Sequence, residues 1–323
     1  MRLFSRKLTV QIRQMKEEDI EEVREVGKRA WSDLYSREFK QNFDVPKRSV
    51  RNIRFYLEKE PEGCLVAESR GRIVGDIFCH VWGSVGWFGP VEVHPSYQNM
   101  GVGKRLIMEG IESMERKGCT VIGLETMPET LKNVTLYSNI GCIPDRMTYL
   151  MERPVINRRL VQLEGVEILH YDDISRDAAE SAVRELSACV MKGLDYSNEV
   201  RCSMKHRTGE TLFMRKNGRI HGFSLIYTYS TSDGSTNASV RILVTSPEAS
   251  GNAEVDMLLK ASEQVAFEAG RDRIHVRFYT GNFRIFSMLR DNGYSLRGTN
   301  IRMLYRGEVP ANHNICHINS WAG

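Results

Sequence analysis

The clearest chemical feature of the chain is a short run, Gln98-Asn99-Met100-Gly101-Val102-Gly103-Lys104, set between a strand pattern and an amphipathic helix pattern. The first amides of a helix have no internal acceptors, and the helix dipole adds about half a positive charge there. Gly101 and Gly103 have no side chains, so a pyrophosphate can approach the backbone closely, and Lys104 adds a cation at the entrance. Two other phosphate loops fit worse. A Walker loop needs Ser or Thr after its lysine, where this chain has Arg105. A dinucleotide fingerprint needs a third glycine where this chain has Leu106, although Glu125 does close the next strand.

The elements around the loop follow from periodicity. Residues 8–15 alternate as a strand, and a helix opens at Lys16 with Ile20, Val23, Val26, Gly27 and Ala30 on one face. A second helix covers about 48–59. Strands are expected at 63–69, 72–81 and 86–94, the first two joined by a turn at Arg70-Gly71. The helix after the loop runs from Val102 to about Lys117, with Leu106, Ile107, Gly110, Ile111 and Met114 at helical spacing and Gly118 to end it. A strand at 120–125, a helix at 128–140 and a strand at 147–153 complete a β-α-α-β-β-β-α-β-α-β order. That order makes a mixed α/β fold around one sheet.

The second half repeats the order. Leu243-Val244-Thr245-Ser246-Pro247 parallels Val91-Glu92-Val93-His94-Pro95, and 282–293 parallels 130–141 in the same register. We read an internal duplication with a boundary near 157–164, against the alternative of two unrelated α/β domains. The expected division is 8–156, 165–307 and a C-terminal tail at 308–323, with the first half able to fold alone.

Composition narrows the class. The chain has 323 residues, 41% hydrophobic and 27% charged, with a net charge of +4 spread along it. That charge is too mild and too mixed for a nucleic-acid face, but it suits a small anionic ligand. Seven cysteines without a Cys-x-x-Cys pair argue for free thiols in a reducing cytoplasm, not for disulfides or a metal site. Residues 1–7 are basic without a following apolar run, so neither a signal peptide nor a membrane anchor is expected.

The segment Val91-Glu92-Val93-His94-Pro95-Ser96-Tyr97-Gln98-Asn99-Met100-Gly101-Val102-Gly103 closely resembles the central signature of the GNAT superfamily of acyl-CoA N-acyltransferases. The resemblance covers roughly 8–153 well and the second half by topology and scattered residues. It implies two tandem GNAT-like domains, the second degenerate, and acetyl-CoA as acyl donor. It implies cofactor contacts from the backbone of Val91 and Val93 and from Gln98 through Lys104, including Asn99, Met100 and Val102. The family's second signature is matched by Leu136, Tyr137 and Gly141. Its asparagine and alanine positions hold Thr130 and Asn133. Which side chain meets the pantetheine arm stays open; Asn133 is the candidate carried forward.

Acyl transfer from thioester to amine needs a neutral nucleophile and a protonated leaving thiolate. The resemblance implies Tyr137 as the phenol that returns the proton. Glu92, a charge between two valines, is the candidate general base; Asp76 and His80 are weaker ones, and His94 suits the strand-end turn. In the second half, Gln98, Gly101, Gly103 and Tyr137 correspond to Ser250, Ala253, Val255 and Leu289, so the small-residue cradle and the phenol are gone. The aromatics Trp31, Tyr35, Phe39, Phe43, Phe55, Tyr56, Trp82, Trp87 and Phe88 divide between core and acceptor wall. The expected activity is acetyl transfer to an amine in a ternary complex. The alternative is a CoA-responsive regulatory module.

Overall fold

The computed structural model describes residues 9–157, 163–310 and 314–321. The basic N-terminus through Leu8, most of the expected boundary, and parts of the tail lie outside the described residues. The first half runs β1 (Gln11–Gln14), α1 (Ile20–Phe39), α2 (Val50–Lys59), β2 (Cys64–Ser69), β3 (Arg72–Trp82), β4 (Val85–Val93), α3 (Val102–Arg116), β5 (Val121–Thr126), α4 (Leu131–Asn139) and β6 (Ile143–Pro154). The second runs β7 (Val166–His170), α5 (Arg176–Val190), α6 (Ser197–His206), β8 (Gly209–Lys216), β9 (Arg219–Tyr227), β10 (Asn237–Thr245), α7 (Asn252–Glu268), β11 (Arg273–Tyr279), α8 (Phe283–Asp291) and β12 (Ser295–Arg306). A last strand, β13 (His317–Asn319), lies in the tail.

Local signals account for most ends. Ser49 caps α2 by accepting from the Asn52 amide, and Ser175 caps α5 through Ala178. Gly118 leaves α3 at φ +81°, a left-handed position that a side chain would strain. The two halves have the same order of elements, as the duplication predicts.

The sheets of the two halves are one continuous sheet, of thirteen strands among the described residues. Its order is β1-β2-β3-β4-β5-β12-β6-β11-β10-β9-β8-β7, with β13 against β10. The last strands of the halves are therefore exchanged. β12 of the second half lies beside β5, and β6 of the first pairs β11 on one side and β12 on the other. The sequence pattern leaves 147–153 as a sheet edge through which the halves could pack; in the structure it lies mid-sheet, paired on both sides. A cut near Arg153 would leave β5 without the neighbour it has here, so the first half is not expected to fold alone.

Helices α1, α2, α5 and α6 cover one face in a core shared by both halves, which includes Trp82, Trp87, Tyr227 and Trp321. The opposite face is covered by α3 and α4 over the first half and by α7 and α8 over the second. A buried ion pair ties the halves together: Lys59 Nζ donates to Glu199 at 2.6 Å, and Trp82 Nε1 donates to the same carboxylate at 2.8 Å.

Candidate active site

The site begins where two strands part. Strands β4 and β5 are parallel and pair only at Val85–Val121, Gly86–Ile122 and Trp87–Gly123. Beyond Trp87 they diverge. Peptide groups alternate sides along a strand. The His94 amide donates to Val74 of β3 at 2.9 Å, so the peptide groups of Val91 and Val93 face the gap. Gln98 reaches back, its Nε2 donating to the Val93 carbonyl at 3.1 Å.

At the end of the gap stands the start of α3. Asn99 and Gly101 take positive φ, +62° and +80°, which turns the chain sharply into the helix. A Cβ added at Gly101 would meet nothing within 4 Å, and one at Gly103 would meet only Val93 Cγ2 at 3.6 Å. Both glycines thus leave space beside the free first-turn amides, a cradle that fits a pyrophosphate. Lys104 is exposed and forms no ion pair among the described residues. Two cations the sequence reading did not assign join it. Lys132 Nζ donates to Gln98 Oε1 at 2.8 Å, and Arg37 Nη2 lies 3.4 Å from the same oxygen. Burial and then Arg37 lower the Lys132 pKa, which an approaching anion would reverse.

The gap opens into a cavity of about 710 Å³. Of the sequence-predicted residues, Val91, Glu92, Val93, Gln98, Asn99, Gly101, Val102, Gly103, Lys104, Asn133 and Tyr137 all line it. Met100 does not; its side chain is exposed to solvent. Tyr137 is buried, its ring 6.1 Å from Phe88. Burial pushes its phenol well above the usual range, so it stays protonated, as a proton donor must.

Glu92 is only 3% exposed. Its Oε1 accepts from Trp31 Nε1 at 2.6 Å and from Arg48 Nη2 at 3.5 Å. Across the ladder it faces Asp76, whose two oxygens are buried without a donor among the described residues. Burial, then the charge of Glu92, push the Asp76 carboxyl well above the carboxylate range. A carboxyl raised in this way favours its protonated form, and Asp76 does not line the cavity. His80 lies elsewhere, its imidazole between Lys59 Nζ at 3.2 Å and the Gly89 carbonyl at 3.3 Å. Burial and then Lys59 hold it neutral. His94 accepts from the Ser96 amide at 3.2 Å, in the turn. Among the aromatics, Trp31, Tyr35, Phe39 and Phe88 line the cavity, while Phe55, Tyr56, Trp82 and Trp87 are core.

The far wall comes from the second half: Arg277 of β11 and Arg297, Gly298, Thr299 and Asn300 of β12 line the same cavity. No sequence signal pointed to them, because the strand exchange that brings them there is not local.

The corresponding cleft of the second half is closed. Strands β10 and β11 pair at 237–240 and 273–276, then diverge as β4 and β5 do. Here β13 fills the divergence, pairing Ile242, Leu243 and Val244 with Asn319, Ile318 and His317. The Cys316 amide donates to Ser250 Oγ at 3.2 Å, where the first half has Gln98. Val255 is buried where the first half has Gly103, and Arg284 donates to the Ser250 carbonyl. Trp321 anchors the tail, with Nε1 donating to Tyr196 at 2.7 Å.

This architecture is the GNAT fold in duplicate. Residues 28–141 match the acetyltransferase (GNAT) family. Over its whole length it resembles a putative acetyltransferase from Pyrococcus horikoshii, with TM-score 0.71, 20% identity, and 99% of this chain and 97% of that one covered. It also resembles a tandem GNAT protein of the clavulanic acid pathway, with TM-score 0.60, 16% identity, and 94% and 100% covered. Among curated proteins, N-alpha-acetyltransferase 30 of Dictyostelium discoideum is 30% identical over 97 residues, 29% of this chain and 52% of that protein. The chain thus spans about half the length of the curated relatives it matches. No helix among the described residues is long and apolar enough to cross a membrane.

Proposed function

We propose that the protein transfers an acetyl group from acetyl-CoA to an amine by direct attack in a ternary complex. One observation carries this reading: a glycine cradle at a helix start, a buried carboxylate and a buried phenol open onto a single cavity. The cradle at Gly101 and Gly103, with Lys104, Lys132 and Arg37, holds the pyrophosphate. The peptide groups of Val91 and Val93 take the pantetheine arm into the gap, and Asn133 stands on its α4 side.

The amine nitrogen attacks the thioester carbonyl and the carbon–sulfur bond breaks. Glu92 takes the proton that the nitrogen loses. Tyr137 gives its proton to the departing thiolate. Trp31 and Arg48 fix the Glu92 carboxylate, and Asp76 faces it across the ladder.

In this reading residues 8–156 carry the chemistry, 165–307 form a degenerate GNAT-like domain, and β13, within the tail at 308–323, seals the second cleft. The names of the relatives support an amine acceptor, and the seven cysteines, none in a disulfide among the described residues, support a cytoplasmic setting. The test is a panel of amines with acetyl-CoA, reading thiol release and N-acetylated product by mass. A folded protein that binds acetyl-CoA and acetylates no amine in a broad panel would sink this function.

A further inference from the structure

The acceptor end of the cavity has a distinctive charge. Along β11, Ile274, Val276 and Phe278 enter the α7 core, so Arg273, His275 and Arg277 share the opposite face. Arg277 lines the cavity with its side chain 14% exposed. Its nearest carboxylate, Glu125, is committed elsewhere: Arg302 donates to it at 2.7 and 3.2 Å and Thr148 at 3.1 Å, while Arg277 Nη1 stands 3.8 Å away. One carboxylate thus serves two guanidiniums. Oriented to satisfy its neighbours, the Asn300 amide accepts from Arg277 Nη1 at 3.0 Å, yet Arg277 Nε is buried without a partner among the described residues.

Arg297, also on the cavity wall, lies 2.8 Å from Glu152, which is shared with Arg273 at 2.5 Å and His275 at 2.9 Å. Four arginines therefore meet two glutamates on this face, with Glu129 a third acid on the rim. The opposing wall is apolar, made by Trp31, Leu34 and Tyr35 of α1.

We propose that the acceptor is an amine carrying a carboxylate on an apolar spacer, with the carboxylate held by Arg277 and Arg297 while the nitrogen lies at Glu92. This rests on the acetyltransferase reading and narrows it. The spacer length follows from the sheet. The Arg277 side chain reaches from β11 toward Glu125 of β5, over β12 and β6. At about 4.8 Å per strand its guanidinium sits on the order of 10 Å from the gap, and allowing ~3 Å for the hydrogen bond leaves roughly six bonds between nitrogen and carboxyl carbon. An α-amino acid is too short to join the two ends.

The experiment compares 6-aminohexanoate with 6-aminohexanamide, and glycine with glycinamide. Each is titrated by calorimetry into the full chain saturated with CoA and assayed for turnover with acetyl-CoA. The long acid should bind and react about ten- to a hundredfold better than its amide, as expected for hydrogen bonds to a charged group. The short pair should show no such preference. Arg277→Gln should erase the difference and Arg277→Lys should keep part of it. Arg297→Gln, at a side chain 59% exposed, should reduce it without risk to the fold. A peptide arm, Gly-Glu-amide against Gly-Gln-amide, tells whether the acid belongs to a free amino acid or to a chain N-terminus. Equal binding of acid and amide, or a preference that survives Arg297→Gln and Arg277→Gln in folded protein, overturns the proposal. If the acid binds selectively but no amine is acetylated, the acetyltransferase reading falls and the carboxylate site stands.

Discussion

The chain contains the same cleft twice, once open and once closed. In both halves a parallel strand pair diverges ahead of a helix. In the first, the divergence leads to Gly101 and Gly103 and opens into the cavity. In the second, it is filled by β13, and the helix start carries Ala253 and Val255. The difference extends to the ladder behind each cleft. Asp76 faces Glu92 in the first half, while Phe223 faces Val244 at the matching place in the second. One copy keeps a buried carboxyl pair at a cost in stability; the other has an apolar pair. The lesson is that a duplicated fold can close one site with its own backbone and lend its strands to the wall of the other.

The largest expected effect comes from giving the open cleft the residue of the closed one. Gly103→Val should weaken CoA binding by more than ~100-fold, because the branched side chain fills the space beside the first-turn amides. The reverse change, Val255→Gly, should create no second site while β13 stays in place. Calorimetry should give one CoA per chain for both the native protein and Val255→Gly; two equivalent sites would break the comparison.

Next in size is the phenol. Tyr137→Phe should lower turnover about 100-fold with little change in KM, the signature of an interaction made in the transition state. Leu289 at the matching position predicts that no residue of the second half compensates. Unaltered kcat would show that solvent protonates the thiolate.

Smaller again is the packing behind the base. A Cβ at Gly27 would fall 2.6 Å from Glu92 Oε2, so Gly27→Ala must displace the carboxylate. Turnover should drop about tenfold while CoA affinity holds, a loss on the order of 1.4 kcal/mol. A matching loss of CoA affinity would mean that α1 as a whole had moved.

The last effect is on stability and grows with pH. The folded-state pKa of Asp76 lies above its unfolded value, so the folded state binds the extra proton. Stability from this group is complete below about pH 4 and declines as pH rises, by about 1.4 kcal/mol per pH unit until the folded carboxyl ionises. Asp76→Asn should remove that decline, so denaturant midpoints measured from pH 4 to 8 should be flatter than those of the native protein. An equal slope in both would mean that Asp76 is ionised in the folded state.

Much of the first half was legible because its signals are local. Gly101, Gly103 and the strand before them specify a turn into a helix within a dozen residues, and the loss at Ala253 and Val255 could be read in the same register. Tyr137 and Glu92 were legible as candidates because one follows a motif and the other breaks an apolar strand. Burial was not: Glu92 reads equally as a solvated carboxylate until α1 brings Trp31 and the segment leading into α2 brings Arg48 to it.

By itself, then, the sequence determined the order of elements, the duplication and the anion loop, since each depends on residues a few positions apart. The tertiary structure decided which strands neighbour one another. Glu125 and Arg302 meet from 177 positions apart, because β12 crosses into the first half's side of the sheet. The same exchange brings Arg277 and Arg297 to the cavity and takes 147–153 from an edge to mid-sheet. It also fixes the tail as a strand, since three residues at 317–319 have too little periodicity to announce one and gain their partner only where β10 and β11 part. Strand pairing at such separations is selected by the fit of whole faces and by open hydrogen-bonding edges, and a window of local sequence contains neither.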